Sequence, residues 1–232
     1  MRNLAVAAAL LLAAPACADG LQITAATLAE PTARYDHAVL GDALEWGALR
    51  LTLSDGSQRL FRLPETRVFE DVTARLVDAD GNGTPEVMVV ESDVDQGAAL
   101  TLWGPEGRIA RTDFIGQRHR WLAPVAVADL DGDGQPEIAY VDRPHLQCDL
   151  VVLQFDGAAF TERARLSGLT NHRINDTDIA GGLRACSDPP ALILANADWT
   201  QAIAVTYAAG QLTATPIGPI RGPADLTRAT RC

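Results

Sequence analysis

"VAVADLDGDGQPEIAYVD", residues 125–142, decides the reading of this chain. "RLVDADGNGTPEVMVVES", residues 75–92, repeats its design, with Asp129 falling 51 residues after Asp78. Each is a glycine-rich turn between two apolar runs of strand type. Asp78, Asp80, Asn82 and Glu86 stand at positions 1, 3, 5 and 9 of one turn; Asp129, Asp131, Asp133 and Glu137 stand at the same positions of the other. Side chains at alternate positions of a tight loop converge on one point, and the interleaved glycines permit the curvature. Left alone, these carboxylates would repel one another. Oxygen ligands without nitrogen or sulfur describe a hard-cation site, and flexible six- to eightfold coordination favours Ca²⁺ over Mg²⁺. Thr84 and Gln135, at position 7, would offer backbone carbonyls. The expected cofactor is a structural Ca²⁺ ion in each turn, bound at ~10⁻⁴–10⁻³ M as in extracellular modules.

The segment after each turn repeats as well. A hairpin signal, two β-rich stretches around a glycine, appears in "ALTLWGPEGRIARTDF" from Ala99 and "LVVLQFDGAAFTERARL" from Leu150. Two further hairpins, "ALRLTLSDGSQRLFRL" from Ala48 and "AIAVTYAAGQLTATPI" from Ala202, lack a neighbouring acidic turn. The hairpin glycines Gly56, Gly107, Gly157 and Gly210 are spaced by 51, 50 and 53 residues. Each unit reads as strand a, turn, strand b, loop, strand c, hairpin, strand d. In the first unit, residues 36–47 are read as the degenerate turn between strands a and b. The expectation is an all-β chain, a β-propeller of about four four-stranded blades.

The flanks and the composition set the context. The chain has 232 residues and a formal net charge of -11, which opposes binding to nucleic acid or to anionic lipid. Leu4 to Ala14 is apolar but too short to span a bilayer. With Arg2 before it and Ala16-Cys17-Ala18 after it, residues 1–18 read as a cleaved signal peptide. Lipid anchoring through Cys17 is the rival. The expected location is periplasmic or secreted, with residues 19–232 as one domain of four repeats of about 50 residues and no transmembrane segment. Cys148, Cys186 and Cys232 remain after cleavage. The favoured disulfide is Cys186 with Cys232, which would tie down the C-terminus; Cys148 with Cys186 is the alternative.

"LVDADGNGTPEVMVV" and "VADLDGDGQPEIAYV" resemble the FG-GAP and VCBS repeats of secreted proteins, best known from the propellers of integrin α-subunits. "LAP" from Leu122 matches part of the Gly-Ala-Pro element; the Phe-Gly element has no counterpart. The resemblance implies a calcium-bearing β-propeller serving in adhesion or binding. Many such propellers have seven blades, whereas four repeats are counted here.

Strand alternation places the a–b turns and c–d hairpins at one end, and the b–c and d–a loops at the other. That second end is chemically richer. It is expected to carry Glu91, Asp142, Arg143 and His145, together with Asp36, His37, His119, Arg120 and Trp121. The segment "NHRINDTD" from Asn171 adds His172, Arg173 and Asp176, and Trp199 completes the set. Asp142, Arg143, His172, Arg173, Asp176 and Trp199 are singled out as ligand-binding residues for a protein or saccharide partner. The competing reading is that such residues cap strand ends. No nucleophile elbow, zincin pair or phosphate-cradling loop is present. A non-catalytic binding module is therefore preferred over a hydrolase using Glu91 with Asp142, or His172 with Asp176.

Overall fold

The computed structural model describes residues 20–41, 44–186 and 188–232. The expected signal peptide, residues 1–18 with Cys17, lies outside the described residues. The described residues are all-β apart from one short helix, and every strand pairing among them is antiparallel.

The third module is the simplest. β9 (Leu122–Ala128), β10 (Glu137–Asp142), β11 (Asp149–Phe155) and β12 (Phe160–Ser167) form a four-stranded meander. The second repeats it with β5 (Arg75–Val77), β6 (Glu86–Asp93), β7 (Gly97–Gly104) and β8 (Gly107–Arg111), preceded by the short β4 (Arg67–Phe69). The fourth has β13 (Leu169–Thr170), β14 (Gly182–Arg184), β15 (Ala191–Asn196), β16 (Gln201–Ala208) and β17 (Gln211–Pro219). β9 runs the whole length of β10 with one register shift beside Tyr140. At the equivalent place the other modules insert a loop, so that β4 and β5 pair successive parts of β6. β13 and β14 likewise share β15.

The first module departs from expectation. β1 (Ile23–Thr32) pairs along β2 (Glu45–Leu53), which pairs with β3 (Gln58–Arg62). Strand a is absent among the described residues, and the reading of residues 36–47 as an a–b turn is corrected: residues 33–44 connect strands b and c. "ITAATLAEPT" lacks the apolar run of an interior strand because β1 is an edge strand, largely open to solvent. Backbone pairing of β4 with both β2 and β6 joins the first two modules into one eight-stranded ladder.

Period-two alternation sorts each central strand between two cores. Val87 and Val89 face Leu49, Leu51 and Trp103 of one cluster. Met88 and Val90 face Ile138, Tyr140 and Val151 of the next. Ala139 and Val141 turn the other way, onto Leu192, Leu194 and Val205. Strands buried on both faces need near-continuous apolar runs, as "EVMVV" and "ALIL" provide. The outer face of the fourth module, with Ile193, Ala195 and Ala204, packs against Leu226 of α1 (Pro223–Ala229). Cys232 just beyond the helix is bonded to Cys186 (S–S 2.08 Å). Cys148 is a free thiol, donating to the Pro144 carbonyl.

Candidate functional site

Both acidic turns fold in the same hydrogen-bond frame. Glu86 Oε2 accepts from Ala79 N–H (2.9 Å), and Glu137 Oε2 accepts from Leu130 N–H (2.8 Å). Asp78 accepts from Gly83 N–H and Asp129 from Gly134 N–H, each at 2.9 Å. Gly83 and Gly134 both adopt positive φ, 81° and 88°, a region that costs glycine little. Asp78, Asp80 and Glu86 each bring an oxygen within 4.8 Å of the others, and so do Asp129, Asp131 and Glu137. Asn82 and Asp133 instead accept from Thr84 and Gln135 N–H. Burial pushes the Glu137 carboxyl up to about 7, with Asp131, Asp133 and Asp129 adding repulsion. Glu86 is raised for the same reasons. Asp78 Oδ1 is buried without a hydrogen-bond partner. A buried, unsatisfied carboxylate oxygen beside a glutamate that resists ionisation fits a bound dication.

The opposite end gathers all four histidines of the chain. His37 Nδ1 shares a hydrogen bond with Glu70 Oε1 (2.5 Å), a fully buried carboxyl raised by desolvation. His119 stacks on His37 with centroids 5.0 Å apart and contacts Asp36 (2.9 Å). His172 Nε2 lies 2.8 Å from the Asp176 carbonyl. A carbonyl only accepts, so that nitrogen carries the proton and Nδ1 is bare. His145 Nε2, 2.9 Å from that Nδ1, is then the donor. Trp121 packs against both rings and donates to the Glu70 carbonyl (2.8 Å). Between these groups lies an open cavity of about 250 Å³. Its wall comprises His37, His119 and His145, the arginines Arg120 and Arg143, and the apolar Trp121, Pro144, Leu146 and Ile174.

Residues 78–140, from the first acid of the first turn to β10, match a family model described as an FG-GAP-like repeat. No curated protein matches the chain.

The FG-GAP-like stretch contains both acidic turns, while the cavity draws on loops inside and outside it. Of the six residues singled out as ligand-binding, Arg143 alone lines the cavity. Asp142 is taken by Arg143 (2.8 Å) and Arg165 (3.3 Å). His172 is buried behind the wall. Arg173 stacks over Trp199 at 4.3 Å, away from the cavity. Glu91, the proposed partner of Asp142 in hydrolysis, is held by Arg67 (3.1 Å) and Arg108 (2.9 Å). Both carboxylates thus serve as strand-end clamps. The apolar Leu146 and Ile174 were not singled out from sequence; their only signal is a place in the same set of loops.

The histidine pair has a stability consequence. Burial holds His145 down to about 4, with His172 and His37 adding repulsion, and burial lowers His172 too. Unfolded, both titrate near about 6.5. The unfolded chain therefore binds more protons below that pH, so the pair's contribution is complete above about 6.5 and lost as pH falls towards 4. The melting-temperature gap between wild type and a His145→Gln/His172→Asn variant should narrow from pH 7.5 to pH 5. A gap that stays constant across that range would refute this coupling.

Proposed function

We propose that this protein is a calcium-stabilised, propeller-like interaction module, exported to the periplasm or beyond, which binds its ligand at the histidine-bearing end. The observation that carries the reading is the repetition of one acidic turn, with the same hydrogen bonds, at the same place in two adjacent modules. In each, Ca²⁺ would be held by the convergent carboxylates: Asp78, Asp80 and Glu86, or Asp129, Asp131 and Glu137. Asn82 and Asp133, with the carbonyls of Thr84 and Gln135, are the further candidate ligands. The ion would neutralise the cluster and fix the turn between strands a and b. It is structural, since the cavity lies at the other ends of the strands.

Four modules stacked face to face, each a meander of three to five strands, resemble the blades of a propeller. The disulfide and the net negative charge suit an oxidising compartment outside the cytoplasm. Among the described residues no helix is long and apolar enough to cross a membrane. The clamped state of Glu91 and Asp142 favours binding over hydrolysis. Calcium uptake by the purified chain that disappears in an Asp78→Ala/Asp129→Ala variant is the test; uptake retained by that variant would rule out the turns as the binding sites.

A further inference from the structure

The cavity wall runs against the charge bias of the molecule. Asp and Glu number 30 against 19 Lys and Arg, yet among the described residues the wall holds two arginines, three histidines and no carboxylate. Nearby acids are already paired: Glu70 with His37, Asp36 with His119 and Arg118, and Asp142 with Arg143 and Arg165. Arg120 differs from Arg143. Its guanidinium donates to the His119 carbonyl (2.9 Å) and meets no carboxylate within 4.0 Å among the described residues. An arginine lining a cavity without a counter-ion is a ready site for an anion.

The rest of the wall is apolar and open. Leu146 and Ile174 are 65% and 62% exposed, the two most exposed large hydrophobic residues described. Both stand at this cavity. His119 and Arg143 in its wall, and Asn175 beside Ile174, hold positive φ of 55°, 47° and 72°. Non-glycine residues are rarely held there, and such positions cluster at ligand sites. A cavity of about 250 Å³ has room for about eight groups of a water molecule's size, which suits a short chain.

We propose that this cavity binds a small amphipathic carboxylate, with Arg120 taking the anionic head and Trp121, Pro144, Leu146 and Ile174 enclosing an apolar body of about seven carbons. This deepens the reading of the histidine end as the ligand face and rests on it. Arg143 is taken by Asp142, which leaves the head to Arg120, and the apolar rim gives the tail a place out of water.

Calorimetric titration of the calcium-saturated full-length mature chain with octanoate, 1-octanol and octylamine tests the proposal. Octanoate should bind saturably at one site per chain, and octanol and octylamine at least about tenfold more weakly. Arg120→Gln should weaken octanoate about tenfold or more while leaving octanol unchanged. Arg163→Gln, on the exposed strand β12, should change neither. Equal binding of all three probes, lost together in Ile174→Asp, would overturn the carboxylate assignment and leave the ligand face standing. Absence of saturable binding by any probe would overturn both.

Discussion

Removing divalent cations with EGTA should lower the melting temperature by roughly 10–20 °C relative to about 10 mM calcium. A ligand that binds only the folded state stabilises it by RT ln(1 + [L]/Kd). With a dissociation constant of about 10⁻⁴ M, calcium at 100 times that value contributes about 2.7 kcal/mol per site. Two turns would give about 5 kcal/mol together. For a chain of this size, each kcal/mol moves the melting temperature by about 2–4 °C. The turns are poised for such a gain because Glu137, raised to about 7 by burial and three aspartates, is costly to ionise without a cation. Asp78→Ala and Asp129→Ala should each remove about half of the effect, since separate turns act independently. Magnesium should substitute poorly, because its small shell demands near-octahedral geometry. A melt unchanged by chelator would show that the acidic turns stand without an ion.

Replacing both Cys186 and Cys232 by serine should destabilise the chain by about 4 kcal/mol, or roughly 8–16 °C. The bond joins residues 46 apart, and the chain-entropy relation gives that magnitude for a loop of this length. The native fold has reason to need it. Helix α1 has 7 residues, far below the length at which an isolated helix is stable. The face it covers offers mostly alanines: Ala191, Ala195, Ala202 and Ala204 beside Ile193. Leu226 supplies the main apolar contact, and Pro223 at its first turn pre-sets the start. Without the staple, α1 should fray from the sheet. Hydrogen exchange should therefore rise first across residues 220–230, ahead of β15 and β16. A melting temperature within about 2 °C of wild type would show that the helix is held by packing alone.

The features legible in the sequence are those whose parts lie close along the chain. Both turns carry their acids within nine residues, so position and chemistry could be read directly. The four hairpins were legible from the spacing of Gly56, Gly107, Gly157 and Gly210, all of which adopt positive φ. The two-sided burial of β6 and β15 was implicit in their unbroken apolar runs. β1 was not legible: its alternating small and polar residues satisfy only one buried face, and it stands at a sheet edge. α1 is too short for a helical period to emerge. The cavity is invisible to local reading because His37, His119, His145 and Ile174 come from four separate loops. They meet only because the strands between them alternate in direction. Arg173 and Trp199 stack on each other, one cation and one aromatic ring from neighbouring loops.

Calorimetric titration of metal-stripped protein with CaCl₂ decides whether the paired acidic turns are calcium sites. Wild type should take up two ions per chain, Asp78→Ala or Asp129→Ala one, and the double variant none. A wild-type chain that takes up no calcium, or a double variant that still takes up two, would contradict the assignment.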